Sequence, residues 1–382
     1  MLRQTILFLL LLTLVGCSAP ATPQVSASLT VAEALRTDDA QGFARAIAPQ
    51  PFVFPRDHGP HADYQTEWWY WTGNLRAADG RAFGYQFTIF RRGLSASPAP
   101  RDSAWATSAI YMAHLALTDV QGGRFYAFDR FSRDGAGLAG ADGEPFRVFL
   151  EDWSGQGSGP EGMTMRLQAA QGDISLDLTL QSSKPPALQG DRGLSQKGRE
   201  PGNASYYYSL TRMLSEGQLS VGGQTFAVTG SSWFDHEWST TSLDPGTVGW
   251  DWFSIQLDDG RELMFYRLRQ ADGSTSPFTA GTLVERDGST RKLSAAEVKV
   301  EARGEWRSPR SGATYPAAWR LSIPGEGLEL ELTPLLADQE LAVAIVYWEG
   351  AVAVRGTQGG APIGGVGYVE LTGYASARQG RF

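Results

Sequence analysis

Residues 233–238 read Trp-Phe-Asp-His-Glu-Trp, an imidazole set between two carboxylates in an aromatic frame. His236 is one of only four histidines; Asp235 and Glu237 flank it, and Trp233, Phe234, Trp238, Trp250, Trp252 and Phe253 crowd the same stretch. A histidine beside a carboxylate is held in one tautomer and exchanges protons near neutral pH. Tryptophan faces pack on a polyene, an acyl chain or a ring system. Together they suit a mostly apolar ligand pocket with a few orienting polar groups. Three more clusters could carry chemistry: Asp57-His58-Gly59-Pro60-His61, Glu67-Trp68-Trp69, and His114 inside an apolar run. Arg91 follows a strand-like segment and could hold a ligand carboxylate. Each has a plainer reading: a hydrogen-bonded core histidine, a salt-bridged arginine, or a polar tie between two domains.

Other chemistries find no support in the residue patterns. His58 and His61 are three apart on a loop, but no spacing matches a standard zinc site, so no metal is expected. No Gly-x-Ser-x-Gly elbow occurs, and phosphate-loop and dinucleotide motifs are missing, so no cofactor is implied. The formal charge is -8 with no basic stripe, which argues against a nucleic-acid partner.

The elements that must position these groups are strands. Trp250–Leu257 and Glu262–Leu268 alternate around Asp258-Asp259-Gly260, a hairpin signal. Residues 67–75 and 81–90 repeat the arrangement around Ala78-Asp79-Gly80, with Phe83, Tyr85, Phe87 and Ile89 on one face. Strand-like runs then recur about every ten residues, with no long helical period, which fits a sandwich or an up-and-down barrel. The stretch 184–203 reads as a long Gly/Pro/Lys/Arg loop. Trp69-Tyr70-Trp71 with its Asp-Gly-Arg turn resembles Trp250-Asp251-Trp252 with its own, within about one residue. The expected fold is therefore all-β, with two similar domains, 51–240 and 241–382, and few short helices.

Residues 1–16 carry one arginine and a short apolar run, a secretory signal rather than part of the fold. Cys17 is the only cysteine and ends Leu-Val-Gly-Cys, which resembles the lipobox of bacterial lipoproteins; acylation at Cys17 is expected. By resemblance to the sorting rule for such proteins, Ser18 favours the outer membrane, placing the chain in the periplasm. Residues 17–50 are a tether, with a short helix expected over 31–47.

Four motifs carry a family resemblance: Phe-Pro-x-Asp-His-Gly-Pro-His-x-Asp-Tyr-x-Thr-Glu-Trp-Trp-Tyr (54–70), Ala-His-x-Ala-Leu-Thr-Asp (113–119), Trp-Phe-Asp-His-Glu-Trp-Ser (233–239) and Gly-Trp-Asp-Trp-Phe (249–253). They resemble the AttH / carotenoid 1,2-hydratase (CrtC) lipocalin-like family over roughly residues 52–375. The resemblance implies two lipocalin-like antiparallel β-barrels in tandem and a hydrophobic ligand. It implies two activities in different branches: hydration of a terminal C=C bond, or an AttH-type periplasmic role beside an ABC transporter permease. In the hydratase branch an Asp two residues after a Tyr serves as the acid. If Tyr266 matches that Tyr, Leu268 stands where the Asp should be, and Asp235, Glu237 or Asp251 would have to replace it. The expected function is binding of a lipid- or isoprenoid-like molecule by a membrane-anchored protein. The alternative is a hydratase, isomerase or hydrolase on the same scaffold. Catalytic candidates are Asp235, His236, Glu237, Asp251 and Tyr266; ligand-binding candidates are His58, His61, Glu67, Trp69, Arg91, His114, Trp238, Trp250 and Trp252. Convergence of His58, Glu67, His236 and Asp251 on one cavity would favour an enzyme.

Overall fold

The structure is a computed structural model that describes residues 40–98, 102–241 and 243–375. The signal segment, Cys17 and most of the helix expected over 31–47 lie outside the described residues; residues 40–47 are irregular chain with a turn at Gln41-Gly42.

Among the described residues, twenty-three strands follow one another, and the helices between them are short 3-10 turns. The first sheet holds β1 (Thr66–Ala77), β2 (Ala82–Gly93), β3 (Ala109–Asp119), β4 (Arg124–Arg133), β5 (Ala139–Gly143), β6 (Phe146–Leu150) and β7 (Trp153–Ser158). It continues with β8 (Thr164–Gln171), β9 (Ile174–Ser182), β10 (Ala187–Leu188), β11 (Leu194–Gln196), β12 (Ala204–Val221) and β13 (Gln224–Ser239). The second sheet holds β14 (Thr247–Leu257), β15 (Glu262–Gln270), β16 (Ala280–Val284), β17 (Thr290–Ser294) and β18 (Lys299–Arg307). It ends with β19 (Thr314–Ile323), β20 (Leu328–Pro334), β21 (Glu340–Ala342), β22 (Val346–Gln358) and β23 (Ala361–Leu371).

Both sheets are antiparallel and curl into barrels with the same plan. The first runs β4-β3-β2-β1-β13-β12-β9-β8-β7-β6-β5, the second β17-β16-β15-β14-β23-β22-β20-β19-β18. In each, the opening strand sits between its hairpin partner and the strand that comes last in sequence: β1 between β2 and β13, β14 between β15 and β23. The two hairpin turns match, with Gly80 at φ 88° and Gly260 at φ 87°, a left-handed conformation that glycine adopts without steric cost. The stretch 184–203 is not all loop: β10 and β11 fold back from it onto β12.

The two barrels pack side by side. The first is filled by Trp69, Trp71, Phe87, Trp153, Phe234 and Trp238 among others, and the second by Phe253, Phe265, Trp319 and Trp348. A third apolar cluster, including Tyr70, Tyr207, Trp233, Trp252, Met264, Tyr266 and Tyr368, lies between them. Thr118 donates to Gln339 Oε1 (2.7 Å), and Gln256 donates to the carbonyls of Thr211 (2.8 Å) and Ser232 (3.0 Å) across the seam. The seam explains an anomaly in β13. A strand with one wet face alternates buried and exposed residues, yet every residue from Ser232 to Ser239 is buried. One face meets the barrel core and the other meets the second barrel.

The first core tolerates no extra atoms at Gly155 on β7. A Cβ there would lie 2.6 Å and 2.9 Å from the Cη2 and Cζ2 atoms of Trp71, a ring with no exposed surface. Gly155→Ala is therefore expected to lower stability by about 1–3 kcal/mol, read as an earlier midpoint in urea unfolding followed by tryptophan fluorescence.

Candidate functional site

Strand alternation sorts the sequence motifs into two places. On β13, Asp235 and Glu237 face the seam, while Phe234, His236 and Trp238 turn into the first barrel. On β1, Trp68 and Tyr70 face the seam, and Glu67, Trp69 and Trp71 turn inward. On β14, Trp250 and Trp252 face the seam and Asp251 turns into the second barrel. The internal repeat therefore matches face for face only with its one-residue slip: Trp68 and Tyr70 correspond to Trp250 and Trp252.

The seam holds a part-open cavity of about 80 Å³. Its walls are Trp68, Tyr70, Phe90, Tyr207, Leu243, Trp250, Trp252, Tyr266, Leu268 and Tyr347; its polar groups are Lys197, Asp235, Glu237, Glu349 and Glu370. Asp235 is held by three donors: Tyr207 OH (2.5 Å), Ser209 Oγ (2.5 Å) and Trp233 Nε1 (2.6 Å). Burial nevertheless pushes its carboxyl up to about 6, against those hydrogen bonds. Lys197 donates to Ser205 Oγ (2.8 Å) and contacts Glu237, and its ammonium lies near the rings of Tyr207 and Tyr266. Burial pulls it down to about 7; the charge of Asp235 opposes that.

Glu349 on β22 and Glu370 on β23 are directly paired across the two strands and face the same cavity. Tyr70 OH donates to Glu349 Oε2 (2.8 Å), while Glu349 Oε1 is buried with no hydrogen-bond partner. Burial and the neighbouring Glu370 raise Glu349 well above the usual carboxylate range. Burial pushes Glu370 up to about 8, with Asp235 adding to the rise and a Trp250 hydrogen bond opposing it. Two carboxyls side by side in an apolar wall cannot both ionise, so this wall presents acids that keep their protons at neutral pH.

The second place is a polar network at one end of the first barrel. The 3-10 turn Arg56–His58 carries Asp57 and His58 inward. His61 Nδ1 and His236 Nε2 both face Glu67 Oε1, at 2.8 and 3.0 Å, and the donor atoms of these three residues lie within 4.8 Å of one another. Among the described residues, these three form the group able to hold a metal. Arg91 Nη1 reaches Glu67 Oε2 (3.4 Å) and also donates to the Tyr64 carbonyl (3.1 Å). His58 Nδ1 faces Tyr208 OH (2.6 Å), and Trp69 Nε1 donates to the His58 carbonyl (2.8 Å). Trp238 stacks on His61, with ring centres 3.6 Å apart and planes within 4°. Burial pulls His58 down to about 4.

The sequence-derived candidates thus divide. Asp235, Glu237, Tyr266, Trp250 and Trp252 line the seam cavity. His58, His61, Glu67, Trp69, Arg91, His236 and Trp238 form the barrel network. His114 joins the seam through its Nδ1, 2.6 Å from Tyr347 OH, and burial pulls it down to about 3. Asp251 belongs to neither place: it is buried among Arg267, Arg269 and Tyr374 in the second barrel. His58, Glu67, His236 and Asp251 do not converge on one cavity. Sequence reasoning missed Lys197, Glu349, Glu370, Tyr70 and Tyr207. A signal existed for two of them: Glu370 is the one charge in β23, and Glu349 is the one charge in the apolar run 346–354 that opens β22.

Fold and site together define a double-barrel β protein with an acid-lined aromatic cavity at its seam. The chain belongs to the AttH-like family, whose family model matches residues 45–374. The crystal structure of an AttH-type protein from Nitrosomonas europaea is 36% identical, with a TM-score of 0.77, over 86% of this chain and 100% of that one. Kievitone hydratase from Nectria haematococca shares the fold at 16% identity, with a TM-score of 0.64 over 88% of this chain and 97% of its own. The dehydratase asqC of Emericella nidulans is 20% identical over 257 residues, which is 58% of this chain and 70% of that protein.

The raised Glu349 carboxyl has a consequence for stability. A group whose pKa is higher folded than unfolded contributes stability that is complete below its unfolded value, near 4.5, and is lost as pH rises towards the folded value. Glu349→Gln keeps the shape of the protonated acid and does not titrate. Its stability relative to the parent is expected to climb steadily between pH 5 and pH 8, read from urea midpoints at each pH.

Proposed function

We propose that the seam cavity catalyses the addition or removal of water at a carbon–carbon bond of an apolar, isoprenoid-like substrate. The observation that carries this reading is the paired, protonated Glu349 and Glu370 set in the same aromatic cavity as Lys197 and Asp235. Kinship with a hydratase and a dehydratase supports it.

In the dehydrating direction, the Glu370 carboxyl gives its proton to the departing hydroxyl and the C–O bond breaks. Water leaves, and positive charge develops on carbon. The faces of Trp250, Trp252 and Tyr266 meet that charge. A base then takes a proton from the adjacent carbon as the double bond forms. Lys197 suits that role because burial keeps part of its population neutral near pH 7. Hydration runs through the same steps in reverse: the Lys197 ammonium gives its proton to carbon, and the Glu370 carboxylate takes a proton from the attacking water as the C–O bond forms. Leu268 occupies the wall where the hydratase branch of the family is expected to place its acid; Glu370 reaches the cavity from β23 instead, beside Trp252 in the strand register.

Acylation at Cys17 would keep the protein at a membrane surface, where apolar substrates concentrate; that tether and its outer-membrane address are part of the same proposal.

Incubation with an isoprenoid alcohol panel in water enriched in ¹⁸O tests the reading. Products are expected to differ from substrates by one water, with the label entering on hydration. The rate is expected to rise with pH through about 7 as Lys197 loses its proton, and to fall through about 8 as Glu370 loses its own. Glu349 on β22, Asp235 on β13 and Trp250 on β14 face Glu370 and set the upper limb. Glu370→Gln should cost on the order of 10²–10⁴ in turnover while retaining ligand. Retention of ligand with no mass change in the parent protein would leave a binding cavity and remove the chemistry.

A further inference from the structure

The polar network in the first barrel has a proton count that does not close, and the count is independent of the seam cavity. His58 is wholly buried beneath the rings of Phe54 and Phe146, and its Nε2 lies 2.9 Å from the Glu161 carbonyl. A carbonyl only accepts, so Nε2 carries the hydrogen and a neutral His58 presents a bare Nδ1 to Tyr208. The Tyr208 hydroxyl must donate to it, at 2.6 Å. That leaves the Tyr208 oxygen as an acceptor towards His236 Nδ1, 3.3 Å away, and the Asp57 carbonyl is a second acceptor at 3.1 Å. Both ask for a hydrogen on His236 Nδ1. The other nitrogen of a neutral His236, Nε2, is then a lone pair aimed at Glu67 Oε1 from 3.0 Å. Two lone pairs at that distance repel unless a cation sits between them.

From this we infer a divalent transition-metal site with three protein ligands: His61 Nδ1, His236 Nε2 and Glu67 Oε1. Neighbouring donors around a first-row ion bound at ~2.0–2.1 Å lie about 2.9–3.4 Å apart; the two pairs to Glu67, at 2.8 and 3.0 Å, need a shift of only a few tenths of an ångström, and the three donor atoms together lie within 4.8 Å, so the two imidazoles draw closer on binding. The outer partners have the form metal ligands take. His236 donates its other N–H to the Asp57 carbonyl, and His61 turns its Nε2 towards Asp57 Oδ1, 3.7 Å away. The His61 backbone N–H is shared between Glu67 Oε1 (3.1 Å) and Oε2 (3.0 Å), and Arg91 reaches only Oε2 (3.4 Å), so Oε1 is the oxygen turned to both imidazoles. The rings are fixed by stacking, Trp238 on His61 and Trp69 on His236. Two imidazoles and one carboxylate suit zinc among the available divalent ions. The ion would pin the 57–61 loop to β1 and β13. His61, the least buried of the three, marks the way in.

The expectation of no metal rested on linear spacing, and these ligands come from a loop and two strands that only the fold brings together. The competing occupant is a proton, which would make His236 an imidazolium. The test strips the full chain with a chelator, adds zinc, and measures uptake by calorimetry and by elemental mass spectrometry. One zinc per chain is expected, with binding weakened at least 10-fold in His61→Ala, whose partly open position spares the fold, and in Glu67→Gln. Circular dichroism checks that each variant is folded. Two results overturn the site: zinc uptake unchanged in both variants, or no uptake with ¹⁵N shifts that show both His236 nitrogens protonated. Neither bears on Glu370, so the seam reading stands or falls separately.

Discussion

Everything in this molecule depends on the two-residue period of a strand that is buried on both faces. In β13, consecutive side chains of a single motif leave in opposite directions: Asp235 and Glu237 to the seam, His236 and Trp238 to the barrel interior. The neighbouring strands β1 and β12 obey the same division, with Tyr70 and Tyr207 on one side and Trp69 and Tyr208 on the other. One stretch of chain thereby builds two polar centres separated by the thickness of a sheet.

The two centres meet the cost of buried charge in different ways. In the barrel, Glu67 is surrounded by two imidazoles, a backbone N–H and Arg91, which together with the proposed cation keep it ionised. In the seam, Glu349 has one hydrogen bond from Tyr70 and an oxygen with none, and it keeps its proton instead. A buried carboxyl that nothing has paired is a destabilising feature in a structural role. In an apolar cavity it is a donor ready for whatever enters. The seam thus leaves buried acids with few partners beside a cavity, while the barrel network gathers its polar groups around one carboxylate.

Much of this architecture was legible in the sequence. Alternation in residues 81–90, the matched Asp-Gly-Arg turns and the regular spacing of strands are local signals, and they state an all-β fold with an internal repeat. The motif residues were visible too, because histidines are few and the tryptophans cluster. Their division between two sites was not, since both faces of β14 and of the 232–239 end of β13 mix aromatic with charged or polar residues, nearly all of them buried, and neither face is marked as the wet one. Glu349 and Glu370 come more than a hundred residues after His236, and their pairing depends on the register between β22 and β23. Lys197 lay in a stretch that read as solvated loop; β11 and β12 fold it into the seam.

The way each barrel closes bears on how the chain acquires its chemistry. The opening strand of each barrel waits for the last: β1 has no partner on one side until β13 exists, and β14 none until β23 does. Such pairings join ends far apart in sequence and are slow to form, because the loop between them must first be ordered. On a ribosome the first barrel can close while the second is still being made. The seam cannot, since the strand that carries Glu370 is the last to emerge among those described. Until it docks, β14 offers a bare edge bearing Trp250 and Trp252, a surface open to wrong pairing. The same strand that supplies Glu370 also seals that edge, so an unfinished protein lacks one of the two paired acids of its cavity.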